Sequence, residues 1–338
     1  MKIKVNGSEF LFFNDITISL ALDSIASSFA FSARFNPNNP IHKTLFRPLS
    51  FPKVEIFKDD GTLMLTGEVI NQNQKSQAEP ELTTLSGYST TGILNDVNIP
   101  LSLYPLESIN RSLKEIAERF IAPFDLKLVI DSSVTKEANQ VFKKTSADPG
   151  ETIENYLAEL AAQRNIVLGH DEKGRLKMYR PNTKVQPKYF FNKENGYQMS
   201  WAVNGQSLHS NIGVIRQPSD ENPNVSLQDE VKNPLVGKYR PKVSILSSGQ
   251  QTDTKKTANN YMASELSALT LQMDMETLLN LIPGDIVEVQ NDEVFLYSRT
   301  RFMVSAMDIK QTEEGYKTSL DLVLPETYTG ETPKNIFA

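Results

Sequence analysis

The chain has 338 residues, 39% of them hydrophobic and 22% charged, enough apolar material for two or three domains with their own cores. Lys and Arg number 35 against 41 Asp and Glu, and the net charge of −6 argues against a protein that grips nucleic acid by neutralising phosphates. The absence of cysteine excludes disulfides and thiolate metal sites and suits a reducing cytoplasm.

The N-terminal "MKIKVNGSEFLFF" alternates like a strand and has neither the unbroken apolar core nor the small-residue cleavage site of a signal peptide. No run approaches the ~18 apolar residues of a membrane helix, so no membrane span is expected. Period-two alternation continues through "DITISLALDSIASSFAFSARF" and "KVEIFKDDGTLMLTGEVI", where Asp59, Asp60 and Gly61 make a hairpin turn. Residues 1–98 therefore read as a small antiparallel β-barrel-like domain. Residues 36–50, rich in Asn and Pro, read as a solvated loop extending from its sheet.

"LSGYSTTGILNDVNIP", residues 85–100, combines hydroxyls, an acid and glycines, the materials of an active site. It also lies where the period changes. Gly87 and Gly92 suit a bulge and a turn, and Pro100 stops further pairing, so the segment reads as a domain junction. Beyond it Ile109, Leu113, Ile116, Ala117, Phe120 and Ile121 fall on one helix face that Pro123 ends, and "DLKLVID" follows as a strand. The unit recurs: Asp148 as N-cap, Pro149 at the first helical position and Glu151 as capping partner open a helix carrying Ile153, Tyr156, Leu157, Leu160 and Ala161. "NIVLGHDEKGRLKMYRP" then gives two strands about a Lys173-Gly174 turn. Residues 99–185 thus read as an α/β insertion of two helix-strand subdomains.

After Pro181 the period returns to two in "YFFN", "YQMSWAV" and "SNIGVIRQP". The polar stretch 219–234 reads as an exposed loop, and residues 253–268 as a helix with Ala258, Tyr261, Met262 and Leu266 inward. Leu271, Met273 and Met275 line a half-buried strand. Pro283-Gly284-Asp285 turns into another, and a long hairpin closes at Glu314-Gly315. Residues 186–338 make a second β-barrel-like domain, and the fold class is mainly β with an α/β insertion between two such domains.

The search for chemistry is negative. His42, His170 and His209 match no short metal-ligand spacing and read as turn or surface residues. "GQSLH" sets Ser207 two residues from His209 without a nucleophile elbow. Gly205 and Gly213 fit no phosphate-binding loop. The acid pairs Asp59-Asp60 and Glu313-Glu314 sit at hairpin turns, where solvated carboxylates belong, not across a glycosidase cleft. Tyr189, Phe190, Phe191 and Trp201 could make a sugar platform, but fall where a β core needs filling. No catalytic, cofactor-binding or metal-binding residue is assigned.

The order of these pieces resembles the tail hub proteins of contractile-tailed phages, the Mu-type baseplate hub and late control protein D group. The junction is similar to that family's Gly-x-Ser/Asp-x-Thr-Gly-x-Leu-x-Asp segment. "DPGETIENYLAELAAQRNIVLGHDEKGRLKMYRP" is similar to its Gly-Glu-Thr helix and hairpin ending in Arg-Pro, and "GDIVEVQNDEVFLYSRTRFMVSAMDIKQTEEGYKTSLDLVLPETY" to its closing barrel. Residues 36–50 and 219–234 depart from the pattern as added loops. The resemblance implies a non-enzymatic homotrimeric ring in the virion's tail baseplate, assembled in the host cytoplasm. Its implied partners are the central spike, the tail tube or distal tail protein, the tape-measure protein and baseplate wedge proteins, with DNA only in transit. The competing reading is the hub part of a tail-associated wall-degrading or glycan-binding protein. A surface or periplasmic adaptor fits less well, for want of an export signal.

Overall fold

A computed structural model of the chain describes residues 1–10, 13–76, 82–195, 198–216, 227–246 and 254–337. The first seven strands are β1 (Lys2–Val5), β2 (Ser8–Phe10), β3 (Phe13–Ala21), β4 (Ser28–Ala33), β5 (Lys53–Phe57), β6 (Leu63–Asn73) and β7 (Thr83–Ser89). Their alternation is the cause of their burial: Ile16, Ile18, Phe29, Phe31, Val54, Ile56 and Leu85 point into one core while their neighbours face outward. Gly61, at φ +87, closes the β5–β6 turn as expected. Residues 36–50 are not simply a solvated loop. They hold the helix α1 (Pro40–Leu45), and Phe46, 2% exposed, packs with His42 and Phe10 in an aromatic cluster that outweighs the local Asn and Pro signals.

The junction helix α2 (Ile93–Asp96) is followed by β8 (Glu107–Ser112), α3 (Leu113–Ile121), β9 (Leu128–Ile130), α4 (Thr135–Ala138), β10 (Val141–Ser146), α5 (Ile153–Ala162), β11 (Val167–His170) and β12 (Leu176–Tyr179). Two boundaries differ from the sequence reading. Ile109 belongs to β8 and is exposed, because Ser112 and Glu115 form a capping box that starts α3 only at Leu113. The N-cap of α5 is Thr152, whose hydroxyl accepts from the Asn155 amide; Asp148 opens the preceding turn instead. The two helix-strand units share one core, with Phe120 of α3 against Tyr156 of α5 at 5.1 Å between rings. They also share a sheet, β9 running parallel to β12.

The remaining elements are β13 (Phe190–Asn192), β14 (Gln198–Val203), β15 (Asn211–Arg216), β16 (Leu227–Lys232), β17 (Pro241–Leu246), α6 (Thr254–Glu265), β18 (Leu269–Met275), β19 (Ile286–Asn291), β20 (Leu296–Thr312), β21 (Gly315–Val323) and α7 (Glu326–Thr329). The stretch 219–234 is not loop throughout. Residues 227–232 are β16, paired with β15, and residues 219–226 lie outside the described residues. The sheet of β15, β16 and β17 packs Ile212 and Val214 against Ala258 and Met262 of α6, while Tyr261 is only half-buried.

Strands from both ends of the chain join in one sheet, ordered β14-β18-β21-β20-β3-β4-β7-β6-β5-β1-β2. Within it an order repeats. β14, β18, β21 and β20 are first, second, fourth and third in the chain among themselves, and β3, β4, β7 and β6 follow the same order. The likeness extends to irregularities: β20 carries an extra residue between Val304 and Ala306 opposite β21, and β6 carries one between Val69 and Asn71 opposite β7. Val304 donates to the Asp285 carbonyl and Val69 to that of Pro52, each just ahead of the strand that precedes its own hairpin partner. The two four-strand units meet where β20 pairs with β3.

Candidate functional site

The solvent face of this sheet is one candidate surface. Pairing aligns Asp274, Ser319, Asp308, Ser19 and Ser28 in a row across β18, β21, β20, β3 and β4. A neighbouring row holds Gln272 and Asp321. Hydroxyls and amides dominate, and the acids exceed the bases Lys310 and Lys317. Burial pushes the Asp321 carboxyl above its ordinary range, and Asp308 and Asp274 add to that rise against a lowering hydrogen bond from Gln272. The Ser319 hydroxyl lies 2.5 Å from Asp274 Oδ1, so part of the charge is tied down.

The junction segment is the second. β7 ends at Ser89, and a 3-10 turn, Thr90–Gly92, leads into α2. The buried hydroxyls of Ser89 and Thr91 both donate to the Ile25 carbonyl, at 2.9 and 2.5 Å. From the insertion, His170 Nε2 meets the Ser27 hydroxyl at 2.7 Å and its Nδ1 lies 2.9 Å from the Asp171 carbonyl. Burial holds the His170 imidazole below the ordinary His range, with the Asp171 carbonyl opposing. Thr66 of β6 donates to the Glu172 carbonyl, and Tyr179 donates to the carbonyl of Leu22 just past β3. These bonds key the insertion onto the sheet. Beside them lies a cavity of about 480 Å³ between Leu22, Met64, Tyr179 and Ile282, with Lys58 and Lys173 among its lining. The hydroxyls and glycines of 85–100 therefore serve a joint: Gly87 faces the β6 bulge, and Tyr88 covers Gly92 so closely that a Cβ there would lie 2.4 Å from the ring.

The other sequence candidates do not converge. His42 and His170 are not turn or surface residues: aromatic packing buries His42, whose Nδ1 accepts from the Asn36 amide, and His170, at the end of β11, is half-buried against the junction. His209 bonds Glu265 at 2.9 Å, but that carboxylate also takes the His209 amide and Lys242, so it braces β17 rather than activating Ser207. Asp59 lies 2.5 Å from the Met1 amino group and accepts from Tyr316, contacts that hold it below the usual carboxylate range. Asp60 turns back onto Thr62, and Glu313 and Glu314 are exposed in the β20–β21 turn. Phe191 is core and stacks on Tyr189 at 5.9 Å, Arg299 covers half-buried Phe190, and Trp201 donates to Val294 while packing on Phe302. Gly205 lies in the turn after β14 and Gly213 inside β15. Among the described residues no three His, Asp or Glu converge as a metal site, and no helix is long and apolar enough to cross a membrane. The polar row was missed in the sequence; its signal, Ser, Thr and Asp at every second position, was readable only as a generic outward face.

Residues 92–180 match the family described as baseplate hub protein gp44-like, second domain. No curated protein matches the chain in sequence. Among solved structures, a tail protein from Neisseria meningitidis MC58 superposes with a TM-score of 0.79 at 19% identity, over 98% of each chain. The 43 kDa tail protein of prophage MuSo2 from Shewanella oneidensis gives 0.76 at 17%, over 96% of this chain and 98% of that one. The E. coli c3393 protein, a component of the type VI secretion system, gives 0.61 at 10%, over 99% of this chain and 80% of that one. Residues 92–180 are thus similar to the second domain of the gp44-like baseplate hub proteins, and over nearly its whole length the chain has the fold of these tail proteins.

Proposed function

We propose that this hub-like protein forms a homotrimeric ring in the tail baseplate of a phage or a related contractile injection system, joining a six-fold tube to a three-fold spike. The observation that carries the reading is the repeated strand order, with its matching bulges, in the two halves of one sheet. A trimer of chains with two equivalent units each presents six similar units about one axis, while the insertion, present once per chain, keeps three-fold symmetry. The division into 1–98, 99–185 and 186–338 follows from this scheme. The serine- and aspartate-rich face would line the channel, where an excess of acid over base lets DNA slide without being held. Spike, tube or distal tail protein, tape-measure and wedge proteins are the partners the scheme requires, and its role is structural, not catalytic.

The second reading is the hub part of a tail-associated wall-degrading or glycan-binding protein of a non-contractile tail. Light scattering of the chain, alone and with its spike, tests the first reading: a trimer is expected, and a stable two-fold dimer refutes it. A zymogram on peptidoglycan separates the two, since the structural hub leaves it intact.

A further inference from the structure

We infer that the ring closes by strand addition, β14 of one copy pairing antiparallel with the outer edge of β6 in the next. The inference rests on the trimeric hub reading and deepens it. Inside the chain the third-ranked strand of one unit, β20, receives the first-ranked strand of the other, β3, over Ala306 to Gln311. The equivalent of β20 is β6, and the equivalent of β3 is β14. Both outer edges lack a paired strand among the described residues: β14 ends the sheet, and β5 pairs with β6 only as far as Glu68, so that past the Val69–Pro52 bond Asn71–Asn73 have no strand on that side and only the Gln72 and Gln74 side chains reach the Arg47 and Phe46 carbonyls.

The repeat also sets the register. Aligning the bulges places Asn73 at the position of Asp308 and Gln72 at that of Met307. Matching Phe29 and Leu271, which face Gly87 and Leu322, places Ala202 at the position of Ser19 and Val203 at that of Leu20. The internal pairs Asp308↔Ser19 and Met307↔Leu20 thus become Asn73↔Ala202 and Gln72↔Val203 between copies. Burial points the same way. Leu20, covered at the internal joint, is 8% exposed, whereas Val203, at the open edge, is 55% exposed. An open edge ending in an exposed valine is a template for another strand. Because the two edges differ, the contact is head-to-tail and closes only as a ring.

The cysteine-free chain allows a direct test. The double variant Asn73→Cys, Ala202→Cys, assembled with spike and mildly oxidised, should give covalent dimers and trimers on denaturing gels, and either single variant should not. Val203→Lys should leave the far-ultraviolet spectrum and melting temperature of the chain unchanged while raising the concentration needed for assembly at least about tenfold, as charge at an edge strand does. A wild-type trimer whose double variant does not cross-link, or whose Val203→Lys form assembles normally, overturns the strand-addition joint and leaves the hub reading standing. A wild-type chain that stays monomeric with and without spike overturns both.

Discussion

Gly87, paired with Val69 across the β6–β7 ladder, lies so close to the neighbouring Glu68 backbone that a Cβ on Gly87 would lie 1.8 Å from the Glu68 carbonyl oxygen and 2.9 Å from the Phe29 ring. Gly67 meets the Tyr88 carbonyl and Phe29 in the same manner, so the ring fills a notch that two glycines leave open. Neither contact can relax cheaply, because the obstacle is backbone. Gly87→Ala should therefore cost about 3 kcal/mol, the upper end of overpacking penalties. Gly61→Ala, in an open turn at φ +87 with nothing within 4 Å, should cost about 1 kcal/mol from backbone strain alone. Urea titration of both variants measures the difference, and equal costs would contradict the packing account.

Helix starts give a second contrast. The Ser112 hydroxyl accepts from the Glu115 amide at 3.3 Å, and the Glu115 carboxylate accepts from the Ser112 amide at 2.8 Å. Thr152 caps α5 with one such bond. Ser112→Ala and Thr152→Ala should each lower stability by about 1 kcal/mol. Asp148→Ala, whose side chain caps nothing, should stay within about 0.5 kcal/mol of the parent.

That contrast marks the limit of what the sequence discloses. Period-two alternation located the strands and 3.6-period faces located α3, α5 and α6, because burial on one side demands those patterns. Exact helix starts were not legible, since Asp148-Pro149 and Thr152 both offer capping chemistry and only the path of the chain selects one. The burial of His42 and Phe46 depends on Phe10, far away in sequence, which no local window contains. Of the candidate site, the role of 85–100 as a joint was readable from its glycines and the change of period. The hydroxyl partners Ile25 and Ser27, and the His170 link, were not, because strand order decides them.

His170 makes stability depend on pH in a defined direction. Burial lowers its folded pKa below the ordinary 6.5, so between those two values the unfolded chain binds more protons. Its stabilising contribution is complete above pH 6.5 and falls as the pH drops toward the folded value. Asp321, with a raised pKa, acts oppositely on acidification, so the measurement must be a difference. The stability gap between wild type and His170→Gln, by urea titration, should shift in favour of the variant as the pH is lowered from 6.5. A gap independent of pH would show that the imidazole binds its proton equally well in the folded and unfolded chain, against the burial account.

The acid-bearing face yields the last prediction. Asp274, Asp308 and Asp321 lie on adjacent strands with Lys310 and Lys317 nearby, and the surrounding side chains are mostly neutral hydroxyls and amides. Duplex DNA passing such a wall meets too few cations to displace its counterions, so wild-type protein should not bind it at moderate salt. Replacing the three aspartates by lysine converts the same face to five closely spaced cations without touching the core beneath. The variant should bind duplex DNA with an affinity that falls steeply with salt, the logarithmic slope growing by about 0.9 for each phosphate engaged. In assembled particles it should slow DNA release, because a polymer held at each step must break those contacts to advance. Fluorescence titration at several salt concentrations reads the first effect and real-time ejection the second. Normal ejection by particles whose hub binds DNA in solution would place this face away from the channel.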